Sequence, residues 1–265
     1  MPRFSANLSM LFTEHDFLDR FDAAARAGFT GIEYIGPYDH APETVAARLT
    51  KNGLTQVLFN LPPGDWAAGE RGIAVLSDRV EEFRSGVDTA ITYAKALGCG
   101  QVNCLAGIAP AGVDKAIVED VFVENLKYAA PRLQQAGIRL LIEAINTRDI
   151  PGFFLTNTKQ ALAIIDRVGS DNLYFQYDIY HMQVMEGDLA RTIEQNLGRI
   201  AHIQLADNPG RNEPGTGEIN YPFLYEHLDH IGYAGWVGAE YKPKAGTEAG
   251  LGWFRQVSKA GSAAA

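Results

Sequence analysis

Residues 137–143, GIRLLIE, contain the unit from which this chain is built. A glycine follows a helical segment, and a short apolar run follows the glycine. Glycine is favoured just past a helix end because it has no Cβ to oppose the left-handed conformation. A short apolar run after such a cap is typical of a buried strand in a parallel sheet. The unit recurs at Gly28, Gly53, Gly98, Gly169, Gly198 and Gly232.

Eight strands are predicted when the N-terminal run is added. They are RFSANLS (3–9), GIEYI (31–35), LTQVLF (54–59), QVNCLA (101–106), IRLLIE (138–143), LYFQYD (173–178), IAHIQL (200–205) and GWVGAE (235–240). Seven helical segments separate the strands, and an eighth, around residues 247–259, follows the last. Eight βα units in roughly 250 residues predict an α/β protein with a closed (β/α)8 TIM barrel.

An open doubly wound sheet is the alternative fold. Such a sheet usually carries a glycine-rich phosphate turn after an early strand. Here the first strand is followed by LSMLFTEHDF (8–17), and no G-x-G-x-x-G pattern occurs. Since no linker divides the chain, we expect one barrel domain over residues 1–260. We expect the last five residues, GSAAA (261–265), to be an appended tail.

The charge and the termini exclude several classes of partner. The 32 acidic residues outnumber the 23 basic ones, and the net charge is −9. An acidic chain without a basic block does not suit nucleic acid or an anionic membrane. No run reaches the ~18 apolar residues of a membrane span, and polar residues interrupt the N-terminal apolar stretch. We expect a cytoplasmic protein, and the sequence leaves open whether it is a monomer or a homo-oligomer.

Oxygen-bearing side chains lie at or next to the end of each of the last four predicted strands. These are Glu143, Asp178, Gln204 and Glu240, spaced about one βα unit apart. The carboxyl ends of barrel strands converge on one mouth, so we expect the four side chains to lie close together. Three adjacent carboxylates repel one another, and a divalent cation relieves that repulsion. An all-oxygen ligand set favours Mg²⁺ or Mn²⁺. The alternative is that these residues only cap apolar strands where they meet water.

Further candidates lie in the loops above this mouth. His181 and Arg211 follow the sixth and seventh strands and can hold oxygens of a substrate; the arginine suits a carboxylate. Lys242 is a second candidate for binding an anion. Glu70 lies in the long connection LPPGDWAAGERGIAVLS (61–77) beside Arg71. This connection is either a lid over the site or a surface excursion that covers strand ends.

Several longer motifs resemble those of one known family. They are NLPPGDWAAGERG (60–72), LIEAIN (141–146), DIYHMQ (178–183), HIQLAD (202–207), GEINYP (217–222), EYKP (240–243) and GLGW (250–253). Together they are similar to the hydroxypyruvate isomerases of the xylose-isomerase-like barrel superfamily, and the similarity spans nearly the whole chain. Close relatives in that group isomerise 2-oxo-tetronates.

The resemblance implies a function and a set of site residues. It implies a metal site at Glu143, Asp178, Gln204 and Glu240, with Glu143 and Glu240 as the acid/base residues. The implied substrate is a small sugar acid, and the implied reaction interconverts hydroxypyruvate and 2-hydroxy-3-oxopropanoate through an enediolate. A 2-oxo-tetronate isomerase, a ketose 3-epimerase and a non-catalytic sugar-acid-binding barrel remain alternatives. Ketose 3-epimerases commonly carry histidine where this chain has Gln204, which favours the isomerase.

Overall fold

Eight parallel strands close into one barrel in the order of the sequence. The structure is a computed structural model that describes the backbone of residues 2–263 and the side chains as far as residue 257. The strands are β1 (Arg3–Asn7), β2 (Gly31–Glu33), β3 (Thr55–Asn60), β4 (Gln101–Cys104), β5 (Arg139–Glu143), β6 (Leu173–Asp178), β7 (Ile200–Leu205) and β8 (Trp236–Ala239). The predicted (β/α)8 barrel is confirmed, with all eight strands close to their expected places.

Helices connect the strands and cover the outside of the barrel. They are α1 (Phe17–Arg26), α2 (Pro42–Asn52), α3 (Val80–Leu97), α4 (Lys115–Gln135), α5 (Thr158–Val168), α6 (Ile179–Met185), α7 (Leu189–Gln195), α8 (Tyr221–His230), α9 (Thr247–Gly250) and α10 (Gly252–Ala263). Short 3-10 helices occupy Ser77–Arg79 and Leu197–Arg199. Within the described residues, no helix combines the length and the apolar character needed to cross a membrane.

The C-terminal segment differs in detail from the prediction. The single helix expected around residues 247–259 is two helices, α9 and α10. Helix α10 continues to Ala263 and so passes the expected domain boundary at residue 260. The last two residues of the predicted tail, 264 and 265, lie outside the described residues. The domain boundary therefore stays a prediction.

Glycine ends the helices at most of the predicted positions. Gly53, Gly98 and Gly169 are left-handed C-caps of α2, α3 and α5, with φ angles of 61°, 62° and 68°. The prediction for Gly198 is wrong. Helix α7 already ends at Gln195, and Gly198 lies inside the following 3-10 helix.

The main apolar core lies between the strands and the surrounding helices. Leu140 and Ile142 of β5 belong to it, whereas Leu141 belongs to a separate small cluster. Because successive side chains of a strand point to opposite faces, Leu141 points into the barrel. The barrel interior also holds buried polar groups: Glu33 of β2 contacts His202 of β7 across it.

The strand register brings polar side chains together near the carboxyl end of the barrel. Four register pairs show this: Asn7 with Glu33, Asn60 with Asn103, Glu143 with Gln176, and Asp178 with Gln204. The predicted convergence of the last four strand ends therefore extends around the whole barrel. We call this ring of side chains the polar rim, and it lies at the end of the barrel where a site can be built.

The long connection between β3 and α3, residues 61–76, is packed against its neighbours. The amide of Val75 donates to the carbonyl of Ala106 at 3.1 Å, and Asn125 of α4 donates to the carbonyl of Ala74 at 2.8 Å. Residues 73–75 are buried. We call this segment the β3–α3 loop. Its ordered contacts place it beside the polar rim.

Candidate active site

A cavity of about 500 Å³ opens at the carboxyl end of the barrel. Six of the residues predicted for the site line it: Glu143, His181, Gln204, Arg211, Glu240 and Lys242. The floor comes from strand ends and the walls from the loops that follow them. Its size is within the range of ordinary small-molecule sites.

Three carboxylates and one imidazole crowd together at the floor. Ligand atoms of Glu143, Asp178, His181 and Glu240 all lie within 4.8 Å of one another. Burial, together with the nearby charges of Glu240 and Asp178, raises the pKa of Glu143 well above its ordinary value. Burial also raises the pKa of Asp178, and it raises that of Glu240 to about 8 although Arg211 opposes the shift. Such crowding favours either protonation or a bound cation.

Asp178 provides the clearest evidence that a cation fits here. Its Oδ1 accepts hydrogen bonds from the amides of Tyr180 and His181, at 2.7 and 3.1 Å, and so caps helix α6. Its Oδ2 is buried and has no hydrogen-bond partner among the described residues. A buried carboxylate oxygen without a partner is costly. A divalent cation held by this cluster would satisfy it.

Gln204 lies beside this cluster with its amide held in one orientation. Its Oε1 accepts a hydrogen bond from Gln176 at 2.7 Å, and its Nε2 donates to Glu33 at 2.8 Å. Because the oxygen must accept and the nitrogen must donate, these two bonds fix the orientation of the amide. The oxygen has a second lone pair, so it can also serve as a ligand. The role of Gln204 in binding metal stays a prediction.

The two glutamates are held in different ways. Glu143 accepts one hydrogen bond, from Asn103 to its Oε2 at 3.0 Å. Glu240 uses both oxygens: Asn7 donates to Oε1 at 3.2 Å and Arg211 donates to Oε2 at 3.0 Å. Glu143 therefore keeps one oxygen that no described residue engages. The two side chains come from β5 and the end of β8, which lie on different sides of the mouth.

His181 is held as a neutral ring that presents an N–H to the cavity. The Oδ1 of Asn146 accepts from the amides of Arg148 and Asp149, so its Nδ2 must donate to His181 Nδ1, at 2.6 Å. With Nδ1 as acceptor, the proton of the neutral ring is on Nε2. Burial, and secondarily Arg211, hold the pKa of His181 well below its ordinary value. The ring can thus donate a hydrogen bond to a substrate oxygen.

Arg211 is fixed among the carboxylates. Its Nη2 donates to Glu240, and its Nη1 donates to Asp149 at 3.2 Å. Its backbone has a φ of 53°, a conformation that costs energy for a residue with a side chain. The amide of Lys242 donates to the carbonyl of Arg211 at 2.7 Å and supports that conformation. These contacts hold the guanidinium of Arg211 beside Glu240, and a role of Arg211 in binding a substrate stays a prediction.

Glu70 does not line the cavity. Its carboxylate pairs with Arg79 and accepts a hydrogen bond from the amide of Asp65 at 2.5 Å. Its neighbour Arg71 lines the cavity instead. Direct contact between Glu70 and a substrate stays a prediction, and the contacts of its carboxylate are those of a loop anchor.

A buried network centred on Glu33 lies beneath the site and was not predicted from the sequence. The carboxylate accepts from Ser5 at 2.8 Å and from Gln204 at 2.8 Å, and it lies 2.9 Å from His202 Nε2. Burial would raise its pKa, but His202 and these hydrogen bonds hold the pKa below the ordinary value. Glu33 lies in the middle of the predicted strand GIEYI, whereas the observed β2 ends at Glu33, so the strand-end rule applied to the predicted bounds could not have found it. Its carboxylate holds the amide of Gln204 in place.

Gly238 leaves the space that Glu33 occupies, and this predicts a stability effect. A Cβ at residue 238 would lie 2.3 Å from both carboxylate oxygens of Glu33. Gly238→Ala is therefore expected to lower the free energy of unfolding by about 1–3 kcal/mol through overpacking. Gly100→Ala is the matched control, because its Cβ would meet nothing within 4 Å. Thermal melts of both variants test this; equal melting temperatures would contradict the close packing.

Three comparisons with known proteins bear on the site. The model of the xylose isomerase-like TIM barrel family matches residues 21–257. The chain is 57% identical to the hydroxypyruvate isomerase of Escherichia coli (strain K12), over 96% of this chain and 98% of that protein. It is 50% identical to the 2-oxo-tetronate isomerase of Cupriavidus necator, with the same coverage. A crystal structure from Brucella melitensis, described as an AP endonuclease of family 2, is similar with a TM-score of 0.94 at 49% identity, over 97% of this chain and 99% of that one.

Proposed function

Because this chain belongs to the xylose isomerase-like TIM barrel family, we propose that it is an isomerase that interconverts hydroxypyruvate and 2-hydroxy-3-oxopropanoate. The observation that carries the proposal is the pair of glutamates, buried Glu143 and partly buried Glu240, with ligand oxygens within 4.8 Å of each other in one cavity. Moving a hydrogen between adjacent carbons needs groups that accept and return protons, and a site that only binds a sugar acid does not need two such carboxylates.

A divalent cation fits this site. Glu143, Asp178 and Glu240 would hold it together with the oxygen of Gln204, and the unpartnered Oδ2 of Asp178 supports this assignment. When bound, Mg²⁺ or Mn²⁺ would supply Lewis-acid stabilisation of the negative charge that develops on the substrate oxygens. The carboxylates of the chain then remain ionised and able to accept a proton.

The proton transfer is assigned to Glu143. It takes a proton from C3 of hydroxypyruvate, an enediolate forms, and the proton returns at C2. Glu143 suits this role because one of its oxygens has no partner among the described residues, whereas both oxygens of Glu240 accept hydrogen bonds. Glu240 moves the proton between the substrate oxygens. The N–H at Nε2 of His181 donates to one of those oxygens and stabilises the enediolate.

A four-carbon sugar acid is the second candidate substrate. The cavity of about 500 Å³ is larger than a three-carbon acid requires. The 50% identical relative is named for 2-oxo-tetronates. One extra carbon in a pocket changes selectivity by only about 10–200-fold, so one site can turn over both acids. A ketose 3-epimerase is the remaining alternative, since Glu143 and Glu240 approach from different sides of the mouth.

A substrate panel with added Mg²⁺ tests the proposal. We expect kcat/KM to be highest for hydroxypyruvate, lower for 2-oxo-tetronates, and lowest for neutral ketoses. Turnover of neutral ketoses with no isomerisation of either acid would replace the proposal by the epimerase.

DNA with an abasic site is a further substrate to test, because the similar Brucella melitensis structure is described as an AP endonuclease. We expect no strand cleavage, because a rim of carboxylates repels the phosphate backbone.

A further inference from the structure

We infer that Arg71 binds the carboxylate of the substrate and so makes the enzyme selective for sugar acids. This inference rests on the proposed function. The cavity already contains the carboxylates of Glu143, Asp149 and Glu240. A substrate anion that enters it needs a cation that no carboxylate of the protein has already neutralised.

Arg211 does not meet that need. Its side chain is 15% exposed, and its two terminal nitrogens donate to Asp149 and Glu240. Its Nη2 also lies 3.5 Å from His181 Nε2. Its remaining nitrogen, Nε, is buried and has no partner among the described residues, but one nitrogen cannot grip a carboxylate with two parallel bonds.

Arg71 has the geometry that Arg211 lacks. Its Nη1 donates to the backbone carbonyls of Trp66 and Glu70, at 3.0 and 2.7 Å. Its guanidinium carbon lies 4.0 Å from the centre of the Trp66 ring. In the described part of the chain, no carboxylate pairs with this guanidinium, and its Nε and Nη2 atoms have no hydrogen-bond partner. These two nitrogens lie on one edge of a planar group and can bind both oxygens of a carboxylate.

The β3–α3 loop holds Arg71 in place before a ligand arrives. Glu70 anchors the loop through Arg79 and the amide of Asp65. Gly72 lets the loop backbone approach the residue after β4 closely, since a Cβ there would lie 2.3 Å from the carbonyl oxygen of Leu105. The amide of Gly72 also donates to the carbonyl of Pro63 at 2.9 Å. A guanidinium ordered in this way loses little conformational entropy when the ligand binds.

Lys242 is the other cation on the cavity wall without an ion pair among the described residues, but it suits the task less well. Its side chain is exposed, whereas Arg71 is half-buried and stacked. An ammonium is a single flexible point charge and does not match the two oxygens of a carboxylate. Arg71 is therefore the selective group.

Binding of D-glycerate, measured by calorimetry with Mg²⁺ present, tests the inference without turnover. Glycerate carries the carboxylate of the proposed substrate but has no ketone to react. Arg71→Gln is expected to weaken binding roughly ten- to hundredfold, because two charge-assisted hydrogen bonds are lost. Arg71→Lys is expected to fall between this variant and the wild type. Arg191→Gln, which removes an exposed arginine of α7, is expected to bind like the wild type.

The kinetic test compares two substrates that differ only in the acid group. Hydroxypyruvate and dihydroxyacetone share the α-hydroxy ketone, but dihydroxyacetone has a hydroxymethyl group in place of the carboxylate. Arg71→Gln is expected to raise KM for hydroxypyruvate tenfold or more and to leave kcat/KM for dihydroxyacetone within about twofold. An equal loss for both substrates would show that Arg71 only supports the loop and would overturn the inference.

The two tests together separate this inference from the proposed function. Glycerate binding that depends on Arg71, in a protein that does not isomerise hydroxypyruvate, would keep the carboxylate site and reject the proposed reaction. Isomerisation of hydroxypyruvate with unchanged glycerate affinity and KM in Arg71→Gln would keep the reaction and reject the carboxylate site. Failure of the wild-type protein to bind glycerate would also reject the site.

Discussion

Glu143→Gln is expected to lower kcat for hydroxypyruvate by about 10²–10⁴-fold, because a positioned proton-transfer group contributes that much to the rate. Glutamine keeps the shape of the side chain and an oxygen ligand but cannot accept the proton. Glu240→Gln is expected to lose most activity as well. The measurement is the initial rate of isomerisation at saturating substrate, with exposed Glu81→Gln as the control. Near-normal rates in both site variants would exclude these residues as bases.

The melting temperature of Glu143→Gln shows whether its low activity comes from lost proton transfer or from unfolding. Glu143 is buried beside Glu240 and Asp178, whose negative charges disfavour its ionised form. The neutral amide removes that repulsion and can keep the contact with Asn103 after its own amide is reoriented. We therefore expect the melting temperature of this variant to equal or exceed that of the wild type in the absence of metal. A large decrease would mean that its low activity reports unfolding.

The sequence was sufficient to predict the fold because its signals are local. Each strand is a short apolar run, and most are preceded by a helix that ends near a glycine with no Cβ to oppose the turn. The exception, Gly198, shows the limit of this reasoning. A glycine favours a left-handed turn but does not require one. Helix α7 ends three residues before Gly198, which lies inside a 3-10 helix instead.

The site was predictable only in part. Parallel strands bring their ends together, so the positions of Glu143, Asp178 and Glu240 in the chain were enough to predict their cluster. The bonds across the barrel were not predictable in this way, because the contact between Glu33 and His202 depends on strand tilt and on the space left by Gly238. The sequence also could not show which of Glu70 and Arg71 lines the cavity. Neighbouring residues of an irregular loop have no fixed periodicity to show which one faces the cavity.

Removal of divalent metal is expected to lower kcat/KM by roughly 10²–10³-fold, since Lewis-acid stabilisation of developing charge is worth several kcal/mol and each 1.36 kcal/mol is tenfold in rate. The measurement compares protein dialysed against a chelator with the same protein after addition of Mg²⁺ or Mn²⁺. Restoration by either ion is expected because the ligands are oxygens. Full activity in demonstrably metal-free protein would contradict the metal site.

Asp178→Asn tests the same site without relying on catalysis. A cation present at about 100 times its dissociation constant stabilises the folded protein by about 2.7 kcal/mol, and a chain of this size gains roughly 2–4 °C in melting temperature for each kcal/mol. Mg²⁺ or Mn²⁺ should therefore raise the melting temperature of the wild type by several degrees. Asp178→Asn should lose most of this increase, because its unpartnered Oδ2 is the oxygen that the cation satisfies. Asp166→Asn, at an exposed position, should keep the increase. If Asp178→Asn also keeps it, the cation binds elsewhere, and the cluster of Glu143, Asp178 and Glu240 must relieve its repulsion by holding a proton instead.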